Sequence, residues 1–475
     1  MTDRFPRLEL DAQAMRRLVD AAMAHIVPHV ASLPEQPAAD TEGAAELARR
    51  LTEPLPEHPG SLDAALELLF GHAVPKSFNT AGPGYLAYIP GGGLFASGVA
   101  ALIASAVNRY VGVWAAAPAL VQLETNVVRW FCDIVGYPDA AGGILTSGGS
   151  LANFSAIVTA RVARLPEDFL KGTLYVSEEA HHSVRKAAML AGFPAGSVRS
   201  VPSDERFRMD PEAARKAVRA DRAAGFLPFL LVASAGTTNT GAVDDLSALA
   251  EVARAEGLAF HIDAAYGGFF LLTERGRSAL RGIERADSVV LDPHKGLFLP
   301  YGNGALVVRD AAALRRAHSV PADYMPETQN QPERVDFCEL SPELSRDFRG
   351  LRVWLPLKLH GLSAFRNELD EKLDLAGWAC EALRSVPGVE IAAEPQLSLF
   401  AFRLALPGQE PSEADALNRL WLGRINARQR VHLSGTVLRG RFALRMCILS
   451  FRTHRDRVEQ AVEDIRSTAA EVLRG

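Results

Sequence analysis

Cysteine is scarce in this chain of 475 residues, and its placement excludes two kinds of structural support. There is no Cys-x-x-Cys pair and no histidine at the spacing of a zinc ligand, so the sequence indicates neither a metal site nor a disulfide framework. We interpret the four cysteines as buried thiols of a protein in a reducing, cytoplasmic compartment. They are Cys132, Cys338, Cys380 and Cys447.

Dense clusters of lysine and arginine are also missing. The formal net charge is −5 and the isoelectric point is near 6.2. No nucleic-acid partner is expected, because binding to a phosphate backbone needs concentrated positive charge. The amino terminus, residues 1–6, carries charges and a proline where a secretion signal has an apolar core, so export is not expected either.

Charge of either sign is absent from Ser77 to Asn108. A hydropathy window alone reads such a stretch as a membrane span. Six glycines and two prolines, Pro83 and Pro90, interrupt it, and neither an aromatic belt nor a positive flank frames it. A buried loop followed by a core or interface helix is the better interpretation, and no membrane association is predicted.

Two apolar strands with functional groups at their carboxyl ends stand out among the features that are present. One ends in Asp263, and the other is followed by Pro293, which stops the ladder, and by Lys295. A separation of 32 positions suits a strand, a crossover and the next strand, so both groups are expected at one edge of a parallel sheet, where ligands bind. Partial burial is expected to lower the pKa of Lys295 towards neutrality, which makes its amine a nucleophile for an aldehyde.

Three motifs carry a resemblance to a known family. Asp-Pro-His-Lys at 292–295, His-Ile-Asp-Ala-Ala-Tyr-Gly-Gly at 261–268 and Ser-Glu-Glu-Ala-His-His-Ser-Val at 177–184 resemble segments of the group II pyridoxal-phosphate-dependent amino-acid decarboxylases, the aromatic-L-amino-acid decarboxylase family. The resemblance runs from about Gly82 to Arg452. It implies an α/β fold of fold type I, like that of aspartate aminotransferase, with a mostly parallel seven-stranded sheet and a small α+β carboxyl-terminal domain.

The resemblance also implies which residues hold pyridoxal 5′-phosphate. Lys295 binds its aldehyde as an imine, Asp263 keeps the pyridine nitrogen protonated, and the His181 ring stacks on the cofactor, so these three are the predicted catalytic residues. A Gly/Ser turn before a helix supplies N–H groups for the phosphate. The predicted cofactor contacts are Gly149, Ser150, His181, Thr238, Asp263, Ala265, His294 and Lys295, with Asn153 as a further candidate at the phosphate.

The predicted substrate pocket departs from the family pattern at three positions. Its candidate residues, which also fit ordinary core roles, are Tyr88, Pro90, Trp114 and Phe337. Gly112 and Gly296 stand where the family has bulkier residues, which leaves a wider pocket or an acidic substrate open. Phe337 falls at the position of a loop tyrosine that is thought to protonate the carbanion. Phenylalanine cannot donate a proton, so Tyr324 and His294 are candidates in its place.

Three segments are predicted along the chain. Residues 1–80 form helices that pack on a partner subunit, as the resemblance implies, in a homodimer with active sites at the interface. Residues 81–355 form the large cofactor-binding domain, where strands and helices alternate from 142 to 308, with a mobile loop near 318–348. Residues 356–475 form the small domain.

The predicted function is decarboxylation of an L-amino acid, aromatic or bulky by resemblance, to an amine and carbon dioxide. Three alternatives stay open. In related plant acetaldehyde synthases a phenylalanine at the loop position accompanies oxidative decarboxylation to an aldehyde. Another fold-type I lyase would break a carbon–carbon or carbon–sulfur bond, and a non-enzymatic pyridoxal-binding protein would turn over no amino acid.

Overall fold

Helices and strands alternate along most of the chain. The computed structural model describes residues 8–320 and 334–474. Within these ranges the helices are α1 Ala12–Ala31, α2 Ala44–Arg50, α3 Leu62–Glu67, α4 Phe95–Val107, α5 Pro118–Val135, α6 Gly149–Arg164, α7 His182–Leu190, α8 Pro211–Ala223, α9 Leu246–Ala255, α10 Glu274–Ala279, α11 Pro293–Gly296, α12 Ala311–His318, α13 Gly350–Arg384, α14 Pro411–Ala427 and α15 Arg455–Val472. The strands are β1 Gly142–Thr146, β2 Gly172–Ser177, β3 Val198–Val201, β4 Leu227–Ser234, β5 Ala259–Asp263, β6 Ser288–Leu291, β7 Gly304–Val308, β8 Val389–Ala393, β9 Leu399–Leu404, β10 Ser434–Leu438 and β11 Arg441–Cys447.

The larger sheet has seven strands within the described residues, in the order β1-β7-β6-β5-β4-β2-β3. β7 runs antiparallel to β1 and β6, and the other neighbours are parallel. β6 and β7 are buried along their whole length, as expected where helices cover both faces of a sheet. The predicted, mostly parallel seven-stranded sheet is confirmed.

Strand direction brings three chain segments to one edge of this sheet. β5 and β6 are parallel neighbours, with Asp263 opposite Val290, so Asp263 and the turn that follows β6 leave the sheet together. β1 is antiparallel to β7, which is antiparallel to β6, so β1 points the same way as β6. The turn between β1 and α6 therefore lies at the same edge as Asp263 and Lys295.

The carboxyl-terminal part of the chain has a second, smaller sheet. Its order is β10-β11-β9-β8, and all three pairings are antiparallel. Phe400, Phe402 and the Trp421 indole are fully buried beside it in a separate hydrophobic core. The predicted small α+β domain is confirmed. α13 runs across the predicted boundary at 355, with a break in the helix at Gly361, so the exact limits of the segments stay a prediction.

Apolar side chains remain exposed on α1 and α4. No residue of α1 is buried. α4, which follows the glycine-rich loop as predicted, exposes one apolar face, formed by Phe95, Val99, Leu102, Ile103 and Val107. Among the residues described, no helix is both long and apolar enough to cross a bilayer. The exposed face of α4 therefore suits contact with another protein surface.

A buried ion pair anchors the segment that leads into α13. The Arg346 guanidinium lies 2.5 Å from the Glu124 carboxylate, and both side chains are almost fully buried. Glu124 also accepts the N–H of Gly350 at 3.0 Å, and Arg346 donates to the carbonyl of Leu145 at 3.3 Å. These contacts join α5, the start of α13 and the end of β1, next to the turn between β1 and α6.

Replacement of Arg346 is expected to destabilise the fold. Arg346→Met leaves the Glu124 carboxylate buried without its counter-ion, and the free energy of unfolding should fall by about 3 to 5 kcal/mol. Chemical denaturation followed by circular dichroism measures this change. The matched control is Arg254→Met, which removes an exposed ion pair with Glu251 and should leave the denaturation midpoint unchanged. Equal midpoints for the two variants would contradict the anchoring role of Arg346.

Candidate active site

A cavity of about 270 Å³ lies at the edge of the large sheet where β1, β5 and β6 end. Each of the eight predicted cofactor contacts belongs to its lining: Gly149, Ser150, His181, Thr238, Asp263, Ala265, His294 and Lys295. Further lining residues that the sequence did not single out include Ser147, Ser183, Ser234, Tyr266 and Asp292. The structure therefore brings together side chains that are more than a hundred positions apart in the sequence.

The turn between β1 and α6 presents free backbone N–H groups to the cavity. The N–H groups of Gly149 and Ser150 have no hydrogen-bond partner among the described residues, as is usual in the first turn of a helix. A side chain at Gly149 would lie only 3.1 Å from Asp292 and 3.3 Å from Ala265, so glycine keeps this approach open. Free N–H groups at a helix amino terminus attract a phosphate.

Lys295 pairs with a carboxylate that the sequence analysis did not predict. Its Nζ lies 2.9 Å from Oδ2 of Asp292, whose side chain is 3% exposed. Burial alone lowers the pKa of Lys295, but Asp292 and, further away, Asp263 outweigh it, so the pKa of this ammonium is raised above its ordinary value. The predicted fall towards neutrality is wrong, because an opposite charge compensates for burial. The sequence could have indicated this ion pair, because Asp292 stands three residues before Lys295 at the start of α11, and side chains at this spacing lie on one face of a helix.

Asp263 is held from two sides. Its Oδ1 accepts the N–H of Ala265 at 3.2 Å, and its Oδ2 accepts from Nδ2 of Asn153 at 3.0 Å. The Asn153 amide also bonds to Ser183 and His261. Asn153 lines the cavity, but the expected role at the phosphate is wrong, because its donor and acceptor atoms are already bonded to Asp263, Ser183 and His261. Helical spacing explains the difference, since Asn153 lies one turn beyond Gly149.

His181 stands at the amino terminus of α7. Its Nδ1 lies 2.7 Å from Oγ of Ser183 and accepts the Ser183 N–H at 3.3 Å. Burial lowers the pKa of His181, although the Asp263 carboxylate opposes this effect, so the ring is mainly neutral at pH 7. The second histidine of the motif, His182, packs with its ring centroid 4.2 Å away and is exposed.

A buried arginine of the small domain orders the loops beside the cavity. Arg445 is 3% exposed, and its guanidinium donates to the carbonyls of Thr238, Asn239 and Tyr88 and to the hydroxyl of Ser434. Thr238 lines the cavity, and Tyr88 lies in the glycine-rich loop before α4. The small domain is therefore bonded directly to two loops of the large domain.

His294 lines the cavity next to Lys295. The Nδ1 of His294 lies 2.6 Å from the carbonyl of Asn303, so this nitrogen carries the proton, and Nε2 lies 3.6 Å from Asp292. A side chain at Gly91 would lie 2.3 Å from the carbonyl of His294, so the glycine-rich loop packs directly on the lysine-bearing turn.

The predicted substrate-pocket residues lie outside the cavity lining within this chain. The Tyr88 side chain is 55% exposed, and Pro90 is buried in the same loop. The Trp114 ring lies under the Arg334 guanidinium at 4.1 Å. Phe337 is buried in the core and packs against Arg346. Their contact with substrate stays a prediction.

Two glycines that suggested a wider pocket do not leave open space. A side chain at Gly112 would lie 2.5 Å from the ring of Tyr110, which fills the adjoining volume. A side chain at Gly296 would lie 2.7 Å from Phe269. Neighbouring aromatic residues account for both glycines, so the expected widening is wrong within this chain. Tyr324, the remaining candidate proton donor of the loop, lies outside the described residues.

The donor set of the cavity fits pyridoxal phosphate. The N–H groups of Gly149 and Ser150 suit the phosphate, Lys295 supplies the amine for the aldehyde, and Asp263 supplies an acceptor for a protonated pyridine nitrogen. His181 supplies a flat, uncharged ring between Asp263 and α7. Asp292 Oδ1, buried and without a hydrogen-bond partner among the described residues, shows that the site is not yet satisfied by the chain alone.

Comparison with known proteins points to the same chemistry. A model of the pyridoxal-dependent decarboxylase conserved domain matches residues 47–405. An aromatic-L-amino-acid decarboxylase of Bacillus atrophaeus is 33% identical over 468 residues, covering 98% of this chain and 97% of that protein. The crystal structure of Catharanthus roseus tryptophan decarboxylase in complex with L-tryptophan has a TM-score of 0.91 at 27% identity, covering 98% and 100% of the two chains. Rhodiola rosea 4-hydroxyphenylacetaldehyde synthase has a TM-score of 0.90 at 25% identity, covering 97% and 99%.

Neutralising Asp292 is expected to make Lys295 more reactive. In protein stripped of cofactor, Asp292→Asn removes the charge that holds the pKa of Lys295 above its ordinary value, so more free amine is present at pH 7 to 9. The rate at which an amine-reactive reagent labels Lys295, measured against pH by mass spectrometry, should rise and shift to lower pH. The Lys295→Ala variant gives the background. A labelling curve that stays in place or moves to higher pH would contradict the pairing.

Proposed function

The chain belongs to the pyridoxal-dependent decarboxylase family, and we propose that it removes carbon dioxide from a bulky or aromatic L-amino acid to give the amine. One observation carries this proposal: Lys295, Asp263 and His181 line a single cavity beside the free N–H groups of Gly149 and Ser150. An amine, a carboxylate, a flat ring and an anion site in one cavity form the set of groups that amino-acid chemistry on pyridoxal phosphate requires.

Each residue has a distinct task in the reaction. When bound, pyridoxal phosphate supplies an electron sink for the electron pair left as carbon dioxide departs. Lys295 would provide the amine that holds the aldehyde of the cofactor. Asp263 holds a proton on the pyridine nitrogen, and Gly149 and Ser150 bind the phosphate through their N–H groups. The residues around the cavity would select decarboxylation through the orientation in which they bind the substrate carboxylate.

The charges of the cavity favour a substrate with a neutral side chain. Lys295 is the one lysine or arginine among the described lining residues, and it is committed to the cofactor. Asp263 and Asp292 add negative charge, so a second substrate carboxylate would have no partner and would be repelled. The expected widening at Gly112, which left acidic substrates open, is absent. The named relatives that act on aromatic amino acids support the same substrate class.

Oxidative decarboxylation is a second candidate function. Phe337 has no hydroxyl at the position of the loop tyrosine, and the chain is similar in structure to an aldehyde synthase. That reaction converts an amino acid, oxygen and water into an aldehyde, carbon dioxide, ammonia and hydrogen peroxide. It therefore differs from simple decarboxylation in its use of oxygen, which makes the two functions separable in one assay.

Turnover of aromatic amino acids should depend on Lys295 and Asp263. With L-tryptophan, L-tyrosine, L-phenylalanine and L-glutamate as a panel, the protein should release carbon dioxide and amine from an aromatic member without consuming oxygen. Lys295→Ala should abolish turnover and the visible absorbance of attached cofactor, and Asp263→Ala should lower kcat by about 100-fold or more. Lys171→Ala, a change at an exposed lysine, is the matched control and should retain full activity.

Product analysis by mass spectrometry, together with an oxygen electrode, decides between the two functions. Aldehyde, ammonia and peroxide formed with oxygen uptake would replace the amine proposal by the oxidative one, and Phe337→Tyr should then restore amine. Turnover confined to L-glutamate would overturn the proposed substrate class. A fully active Asp263→Ala variant would overturn the role given to this carboxylate.

We further propose that the protein forms a homodimer in the cytoplasm. The exposed apolar face of α4 and the exposed helix α1 support a partner surface, because apolar faces of this kind are rarely left in water. In this proposal residues 1–80 pack on the partner subunit, and the active sites lie at the interface. The buried, free thiols of the four cysteines support a reducing compartment.

A charge placed on the α4 face should weaken the dimer. Leu102 is 53% exposed, and Leu102→Asp would bury a carboxylate at the interface, so a larger monomer fraction should appear in light scattering at micromolar concentration. Val437 on β10 is 54% exposed, and Val437→Asp is the matched control. A wild-type protein that is monomeric, or a Leu102→Asp variant as dimeric as the control, would contradict this interface.

A further inference from the structure

A chain of largely buried hydrogen bonds lies in the wall of the cavity and joins two predicted catalytic residues. Asn153 is its branching point, with 1% of its surface exposed. Nδ2 of Asn153 lies 3.0 Å from Oδ2 of Asp263 and 3.0 Å from Oγ of Ser183, and Oδ1 lies 2.9 Å from Nε2 of His261. Ser183 continues to His181 at 2.7 Å, and His261 continues to Ser288 at 2.7 Å.

The branch towards His261 has one consistent proton arrangement. An ionised Asp263 only accepts hydrogen bonds, so the Asn153 atom facing it is the NH₂ group, and the Asn153 oxygen faces His261. His261 must then carry its proton on Nε2. Burial lowers the pKa of His261 to about 4, against the influence of Asp263, so the ring is neutral at pH 7 and its bare Nδ1 accepts from Ser288.

Two donors of Ser183, its hydroxyl and its backbone N–H, face Nδ1 of His181 in the other branch. Ser183 Oγ accepts from the Asn153 NH₂, so the Ser183 hydroxyl proton is available for Nδ1 of His181. The N–H of Ser183 also donates to this nitrogen. Nδ1 is therefore an acceptor, and the neutral His181 ring carries its proton on Nε2.

We propose that Asn153 is a positioning residue that sets the proton arrangement of the site, keeping Asp263 as an acceptor and making Nε2–H of His181 a donor for the substrate carboxylate. This inference rests on the proposed function for the identity of the substrate group. The assignment of protons depends only on the chain itself. Asn153 thereby couples the group that faces the cofactor nitrogen to the group that faces the substrate.

The charged and titratable groups that face this network are few. Besides Asp263, they are His182 beside His181, and Lys295 and Asp292 on the turn after β6. Asn153→Asp keeps the shape of the side chain but removes the NH₂ group and places a second carboxylate against Asp263. At low pH the carboxylate at position 153 and that of Asp263 share a proton, and the resulting O–H group replaces the lost NH₂ donor. The variant should therefore recover as the pH falls.

Nitrogen-15 NMR of histidine in the cofactor-free protein tests the proton arrangement without activity. In the wild type, His181, assigned with His181→Gln, should be the Nε2–H tautomer. In Asn153→Asp the Ser183 hydroxyl can turn to the new carboxylate, which leaves the Ser183 N–H at 3.3 Å as the remaining donor to Nδ1 of His181. The fraction of the Nδ1–H tautomer of His181 should therefore rise, and the pKa of His261 should rise. Ser183→Ala breaks the same link without touching Asp263 and should also shift His181. A wild-type Nδ1–H tautomer, or an unchanged tautomer in both variants, would overturn the proposal.

Activity with the best amino acid of the panel gives the second readout. Asn153→Asp should lower kcat by roughly 10- to 100-fold at pH 8 and should recover part of the loss at pH 6, relative to the wild type. Asn418→Asp is the matched control, since Asn418 is equally buried but bonds only to the backbone of Leu404 and Ala414 in the small domain. If the fall in kcat of Asn153→Asp does not depend on pH, or if Asn418→Asp shows the same fall, the positioning role is contradicted and Asn153 only supports the fold. If the wild type has no turnover, the proposed function fails, and the NMR result still decides the proton arrangement.

Discussion

The pairing of buried charge at the end of one parallel sheet is the constraint on which this site depends. A lysine ammonium taken out of water needs a compensating charge, and Asp292 at 2.9 Å provides it. Asp263 lies at the same edge because β5 and β6 are parallel neighbours. The lysine neutralises one of the two carboxylates, and the cavity keeps one negative charge available for a cationic group of a ligand.

Local pattern predicted two strands and a turn at the site, and the family resemblance supplied the fold type and most of the remaining site residues. Apolar runs that end in Asp263 and in the turn before Lys295 indicated strands with functional groups at one edge, and the register of β5 and β6 agrees. A Gly/Ser turn before a helix indicated an anion site, and its N–H groups are free. The strands and the free helix terminus were predictable because both are determined by short stretches of sequence, and binding of an anion there stays a prediction.

The directions that side chains take in the folded chain account for what the sequence did not predict. The pKa of Lys295 depends on where the Asp292 carboxylate turns, and the role of Asn153 depends on groups from two other elements, α7 and β5. Gly112 suggested open space only because the ring of Tyr110 could not be placed beside it. Side-chain direction and the filling of volume are decided by tertiary packing, which a single sequence does not display.

The bonds made by Arg445 have a consequence for motion between the two lobes of the chain. The Arg445 guanidinium, on β11, donates hydrogen bonds to the carbonyl groups of Thr238 and Tyr88, which lie in two different loops. Rotation of the smaller lobe would pull both loops along with it, because bonds between buried groups are not readily exchanged for water. The two lobes would then move together, and the same motion would widen or narrow the entrance of the cavity.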